Sequence, residues 1–425
     1  MTNSLPSLTQ FRVEPQDNGL IHLVFDCPNR SMNVFSNTAI YELGAFAEWL
    51  HRSSVRGVVV RSGKTSGFCA GADLTELGVA YEMIVAAPRA DRFDLAFDHF
   101  FRLSHAIRRL ETAGKPVAAA IAGVALGGGC ELALGCHYRV VAHSPSAFLG
   151  LPESGVGLLP GAGGTQRMPR LVGLDLGLEV LLRGRNLQGN EALAAGLVHE
   201  LVEDGGEVAV AEAWLLSAAA HATQPWDRED RPRLRHSEIA DTIARERQRE
   251  LARMLGHEPA PLAILECVEL GMIQPIDGAI RAEMSVFAHL IQRREPRNMI
   301  RTMFLGKQAY GKARRAGGPD PAVVAAAADI DAAVARALGT HPDLARAAFG
   351  KADLAPAQSE ISPRFWFERE SALAAAVCTI GREAARVTAG LSSAERLELD
   401  HLLAIKGIIP AYLGGAHGLA EFAAQ

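Results

Sequence analysis

The stretch Ile121-Ala-Gly-Val-Ala-Leu-Gly-Gly-Gly-Cys-Glu131, followed by Leu151-Pro-Glu153, sets two carboxylates beside glycine-rich turns in otherwise apolar surroundings. Its continuation, Glu131-Leu-Ala-Leu-Gly-Cys136, is apolar nearly all round and reads as the start of a buried helix. A carboxylate in such a place is costly unless something uses it. Gly127, Gly128 and Gly129 strip side chains from the turn into that helix, so a ligand can approach bare N–H groups at the positive end of the helix dipole. A corner of this kind can hold a developing oxyanion. Phe68-Cys-Ala-Gly-Ala-Asp73, a turn of small residues after the expected strand Val58-Val59-Val60, offers a second approachable backbone. Together these features suggest acid–base chemistry on an activated carbonyl.

Working outward, Phe11 to Glu14 and Leu20 to Phe25 flank Asp17-Asn-Gly19, a junction suited to a hairpin. Further strands are expected at Val58 to Arg61, Val117 to Ile121, Tyr138 to Ala142 and Ala147 to Leu149, with helical material between several of them. The pattern is α/β. Periodicity leaves open whether the sheet is doubly wound or a superhelical stack of β-β-α turns. A helix is expected from about Ser237 to Leu255, stopped by Gly256 and Pro259, with two more on either side of Pro275. Ala313-Arg-Arg-Ala-Gly-Gly-Pro-Asp-Pro321 has linker composition, after which Asp320 can cap a helix beginning at Pro321. The last clear helix has Ser392 and Glu395 at capping-box spacing and Gly407 at its stop. The alanine runs between Ala322 and Ala337 read as helix.

At 425 residues the chain calls for two or three structural units. With 48% hydrophobic and 21% charged residues it is globular, and a net charge of -5 disfavours a nucleic-acid partner. The six cysteines are scattered, without metal-ligand or secreted-scaffold spacing, and read as reduced, mostly buried thiols. No charged-then-apolar leader opens the sequence and no apolar run is long enough for a membrane span, so a cytoplasmic enzyme is expected. No metal site is expected: His137 and His143 lack a partner at ligand spacing and read as packed or exposed histidines.

Phe68-Cys-Ala-Gly-Ala-Asp73, Ala125-Leu-Gly-Gly-Gly-Cys-Glu131, Leu151-Pro-Glu153 and Pro160-Gly-Ala-Gly-Gly-Thr-Gln-Arg167 together resemble the crotonase family, the enoyl-CoA hydratases in particular. Their order and separations match along residues 10 to about 203. Residues 204 to about 312 resemble the linker of the bacterial multifunctional fatty-acid oxidation alpha subunit, through Pro259-Ala-Pro261 and Asn298-Met-Ile-Arg-Thr-Met-Phe-Leu305. The resemblance implies a crotonase-like β-β-α superhelix followed by an all-helical C-terminal region: a catalytic core over 1–205, a helical linker region over 206–312, and a helical domain of unassigned role over 313–425. In the alpha subunits a dinucleotide-binding domain follows the linker. Here no strand, G-x-G-x-x-G and helix occur in the tail, and Gly414-Gly-Ala-His-Gly418 lacks the spacing, so no nicotinamide cofactor is expected.

What the resemblance implies for the site is specific. The N–H groups of Ala72 and Gly128 would form the oxyanion hole. Glu131 would orient and deprotonate a water that Glu153 shares while helping to deliver a proton to the α-carbon. Ala70, Asp73, Leu74, Thr75 and Gly127 would contact the substrate, whose coenzyme A is its own part and not a separate cofactor. Related enzymes often carry a lysine near the CoA phosphates where this chain has Thr75, leaving Lys64, Arg61 or a residue of the helical part to supply that charge. Lys307 stands where the alpha subunits have an acidic residue. An enoyl-CoA isomerase reuses the oxyanion hole but generally does not need both glutamates, so their presence favours a hydratase. The remaining alternative is a scaffold that docks a dehydrogenase or thiolase, and a homo-oligomer is equally open.

Each residue also has a plainer reading. Glu131 can merely complement a helix dipole and Glu153 can be a solvated loop acid. Asp73 is as suited to fixing its turn as to touching substrate. Gly161 to Gly164 reads as a turn rather than a phosphate cradle, and Arg167 as an ion-pair or carbonyl-binding residue rather than a catalyst.

Overall fold

The computed structural model describes residues 7–230, 235–254, 257–339 and 372–424. Its strands are β1 (Phe11–Pro15), β2 (Leu20–Phe25), β3 (Gly57–Ser62), β4 (Val117–Ile121), β5 (Ala125–Leu126), β6 (Tyr138–Ala142), β7 (Phe148–Gly150), β8 (Leu187–Gln188) and β9 (Glu200–Val202). Helices α1 (Asn37–Arg52), α2 (Leu74–Ala86), α3 (Arg92–Glu111), α4 (Gly128–Gly135), α5 (Gly164–Val172), α6 (Leu174–Arg183), α7 (Gly189–Ala194) and α8 (Glu207–Leu216) connect or cover them. The larger sheet has the order β1-β2-β3-β4-β6-β9 and the smaller one β5-β7-β8. The expected hairpin forms, with Phe11 opposite Phe25, and from β2 onward the larger sheet is parallel.

The small sheet settles which α/β architecture this is. β4 enters the large sheet, β5 the small one, and α4 follows; β6 and β7 divide in the same way before α5. That repeat is the expected β-β-α turn and not a single doubly wound sheet. Every residue of β4 (Val-Ala-Ala-Ala-Ile) is buried, as suits a central parallel strand covered on both faces. Ala211 and Leu215 of α8 close one face over Leu20, Val59, Ala118, Ala120 and Val140.

The strands stand within a residue of their expected places, with β7 one residue later than expected. Further on come α9 (His236–Met254), α10 (Pro259–Gly271), α11 (Ile276–Ile291), α12 (Arg294–Met299), α13 (Gly306–Arg315) and α14 (Pro321–Gly339). The expected stop of α9 at Leu255 and Gly256 lies outside the described residues. Pro259 opens α10 instead of ending α9, which fits a residue that lacks the N–H a first turn cannot use. The segment expected to be linker from Ala313 begins inside α13, because Ala313, Arg314 and Arg315 favour helix and the basic end complements the dipole. Asp320 caps α14 as expected, accepting from Ala322 N–H at 2.8 Å.

The chain forms two compact units. One comprises Met1–Ser154, Leu159–Ile243 and Ala263–Gln292, the other Gly155–Leu158, Ala244–Leu262 and Arg293–Gln425. The packing therefore divides the chain elsewhere than at 205 and 312: α11 belongs with the α/β core, while α12 and α13 belong with the C-terminal helices. In the second unit, α14 and the helices Ala372–Thr388, Ser393–Ile405 and Gly415–Ala424 bury Val323, Ile330, Ile380, Leu399, Leu403 and Leu419 in one core. The capping box of Ser392 and Glu395 is present in full. The helix it opens is not the last, since Gly415–Ala424 follows. Among the described residues no helix is long and apolar enough to cross a membrane.

Candidate active site

Two loops of the first unit are laced together by backbone hydrogen bonds. Phe68 and Cys69 donate to the Val124 carbonyl at 2.9 and 3.0 Å, and Leu126 donates to that of Cys69 at 2.9 Å. Cys69 and Ala125 form a parallel bridge. The lacing places Gly71 and Ala72 against Gly127 and Gly128, so closely that a Cβ on Gly71 would stand 3.6 Å from the Gly128 nitrogen. Gly71 and Gly127 have φ of 98° and 53°, which only glycine adopts without strain. Phe35 occupies the acceptor of Gly71 and the donor of Asp73. The N–H of Ala72 between them has no acceptor among the described residues, nor does the N–H of Gly128 in the first turn of α4. The two expected oxyanion donors are thus neighbours with their hydrogens unspent.

The acids come from two different elements. Glu131 is buried in the first turn of α4, and its Oε1 accepts from Ala162 N–H at 2.7 Å and Gly164 N–H at 2.8 Å. Glu153 is delivered by the small sheet: Leu126 pairs with Gly150, the chain runs on through Pro152, and a single helical turn begins at Glu153. A Cβ on Gly127 would lie 2.9 Å from Glu153 Oε1. Glu153 is partly exposed as a residue, but its Oε2 is shut off from solvent and has no hydrogen-bond partner. Burial pushes Glu131 up to about 7, against the pull of its two amide donors and of Arg167. Burial and the charge of Glu131 hold Glu153 well above the usual carboxylate range. The amides favour the ionised form of Glu131, and the orphaned Oε2 favours the protonated form of Glu153, so the coupled pair divides into a base and an acid near neutral pH.

The plainer readings hold for several other residues. Asp73 accepts from the N–H groups of Thr75 and Glu76 at 3.0 and 3.3 Å as the N-cap of α2, and pairs with Arg30 at 2.5 Å. Leu74 and Thr75 open that helix, and Ala70 N–H donates to Asn33 O. Lys64 is paired with Asp26 and Arg61 with Glu14. Arg30, whose side chain is 47% exposed, is the cation the fold brings to this segment, and nothing in its local sequence had marked it. Arg167 is buried, pairs with Glu111 at 2.8 Å and donates to the Ala162 carbonyl at 2.9 Å, bracing the turn that holds Glu131. His137 is packed, accepting from Val117 N–H at Nδ1, and His143 is exposed. Five of the six cysteines are buried and none is in a disulfide.

The sequence model described as enoyl-CoA hydratase/isomerase matches residues 16–228. The chain belongs to this family, the crotonases. Among its relatives, a protein of Shewanella loihica named fatty acid oxidation complex subunit alpha is 34% identical over 319 residues, covering 74% of this chain and 43% of that one. The protein of the same name from Shewanella halifaxensis is 32% identical over 314 residues, with 73% and 43% covered. The chain spans less than half the length of these curated relatives. A solved structure titled as a putative enoyl-CoA hydratase from Streptomyces coelicolor A3(2) is 26% identical, with a TM-score of 0.46 and coverage of 58% of this chain and 88% of that one.

One site residue had no sequence signal at all. Glu283 of α11, fully buried, accepts from Gly163 N–H at 2.6 Å, Thr165 N–H at 3.0 Å and Thr165 Oγ1 at 2.5 Å. The glycine run read as a turn is therefore a turn with a task, its successive amides shared between two acids.

Proposed function

We propose that the protein is an enoyl-CoA hydratase, adding water across the 2,3 double bond of a 2-enoyl-CoA to give a 3-hydroxyacyl-CoA in the degradation of fatty acids or related acyl-CoA compounds. The observation that carries this reading is the coupled pair Glu131 and Glu153 beside the unspent N–H groups of Ala72 and Gly128. The thioester oxygen accepts from those two amides, which stabilise the negative charge it gains as water adds. Ionised Glu131 takes one proton from water as the oxygen bonds to C3, and protonated Glu153 gives its proton to C2. Return of the proton from Glu131 to Glu153 through solvent restores the starting state. An isomerase moves a double bond without needing the second acid, so the pair favours hydration.

Because relatives are named as subunits of a fatty acid oxidation complex, assembly with a thiolase or dehydrogenase, or with further copies of the chain, belongs to the same proposal. So does a cytoplasmic location. No cofactor enters beyond the coenzyme A of the substrate.

The test is the conversion of short, medium and long 2-enoyl-CoA substrates by the full chain. Wild type should hydrate at least one of them. Glu131→Gln and Glu153→Gln should fold and bind acyl-CoA, yet turn over at least about a hundredfold more slowly. Near-wild-type rates in either variant would remove that residue from the assignment, and isomerisation of a 3-enoyl-CoA without hydration would put the isomerase in its place.

A further inference from the structure

Four consecutive amides, from Ala162 to Thr165, alternate between two buried carboxylates. Ala162 and Gly164 donate to Glu131, while Gly163 and Thr165 donate to Glu283. The Thr165 hydroxyl adds a third bond to Glu283 and itself accepts from Gln166 Nε2 at 2.9 Å. The turn is tight as well: a Cβ on Gly164 would stand 2.9 Å from Glu131 Oε1 and 2.7 Å from Pro160 Cβ. A carboxylate used only to pin a helix is usually matched by a cation. Among the described residues Glu283 has no ion pair.

Resting on the hydratase reading, we propose that Glu283 is a positioning residue for the reaction: by fixing Gly163 and Thr165 from the far side of the turn, it aims the Ala162 and Gly164 amides at Glu131 and so orients the base. Its own charge acts on the same group. The titratable and charged groups that face Glu283 are Glu131 and Glu153, Arg167, and Cys267 of α10, whose Sγ lies 3.9 Å from the Glu283 carbonyl oxygen. Burial first and the charge of Glu131 second push Glu283 up to about 8. The repulsion is mutual, so an ionised Glu283 makes Glu131 the stronger base.

The experiment compares wild type, Glu283→Gln and Thr165→Val as full chains, with kcat and KM for a 2-enoyl-CoA measured across pH. Glutamine cannot accept from all three donors of Glu283, and it removes the charge. In Glu283→Gln, kcat should fall roughly ten- to hundredfold while KM stays within about threefold. The acidic limb of the profile should move to lower pH, because Glu131 loses a like charge. Thr165→Val keeps that charge and deletes one donor, and should lose about threefold or more in kcat; it carries the test should Glu283→Gln not fold. The titration of Glu131, followed by carboxyl 13C NMR with Glu131→Gln locating its signal, gives a readout free of turnover. Folded Glu283→Gln with wild-type kcat and an unmoved Glu131 titration overturns the proposal, as does a loss confined to thermal stability. If wild type hydrates no enoyl-CoA but the Glu131 titration shifts in Glu283→Gln, the hydratase reading falls and the hold of Glu283 on Glu131 stands.

Discussion

Glu111 and Glu131 are both buried glutamates of the first unit, and both are tied to Arg167, yet they are compensated in opposite ways. Glu111 accepts from Arg167 through Nε and a terminal nitrogen at 3.1 and 2.8 Å, from Arg108 at 2.9 Å and from the Trp226 indole at 3.1 Å. Glu131 receives two amide hydrogens and sees Arg167 only across space. Full countercharge commits an acid to staying ionised and fixed. Amide dipoles without countercharge leave it able to take and release a proton near neutrality.

The largest effect should come from breaking the first kind of compensation. Glu111→Leu strands the buried Arg167 guanidinium, and we expect urea unfolding to report a loss of about 3 to 5 kcal/mol. A loss below about 1 kcal/mol would show that Glu111 is no more costly to remove than a surface partner.

A smaller effect separates the other acids. Glu131 is raised from the ordinary 4.5 to about 7 and Glu283 to about 8. Between those limits the folded chain binds more protons than the unfolded one, so stability should be greatest near pH 4.5 as far as these groups are concerned and should fall as pH climbs toward 8. Glu131→Gln should flatten that fall by on the order of 2 to 3 kcal/mol. Unfolding curves collected along the pH series decide it, and an unchanged slope means that Glu131 titrates as an ordinary surface acid.

The smallest effect lies away from both acids. Ser392→Ala removes the cap of the helix Ser393–Ile405 in the second unit and should cost about 1 kcal/mol of stability without changing kcat. Loss of turnover would mean that catalysis depends on the second unit as well as on the acids compared here.

What could be read from the sequence was what is local. The two glycine-rich corners, the acids beside them and the buried strands are contiguous signals, and each lies where its pattern implied. The strands β5 and β8 are two residues long, too short for any alternation to register, although β5 is what laces the two loops together. The helix Gly415–Ala424 was missed because its start carries glycines at φ 80° and 62° and no side-chain cap of its own; Asp400, far back in the chain, accepts from His417 N–H instead. Asp73 was legible as a cap, with Glu76 three residues on. Glu283 was not: along α11 it is one acid in a helical pattern, and its partners are more than a hundred residues away.

The alternation of amides from Ala162 to Thr165 makes the turn a place where length is as constrained as composition. Deleting or inserting one residue would hand each amide to the opposite acid, so that the base would inherit the donors of its neighbour across the whole turn. Natural variants of this chain should therefore tolerate changes of side chain there more readily than changes of spacing.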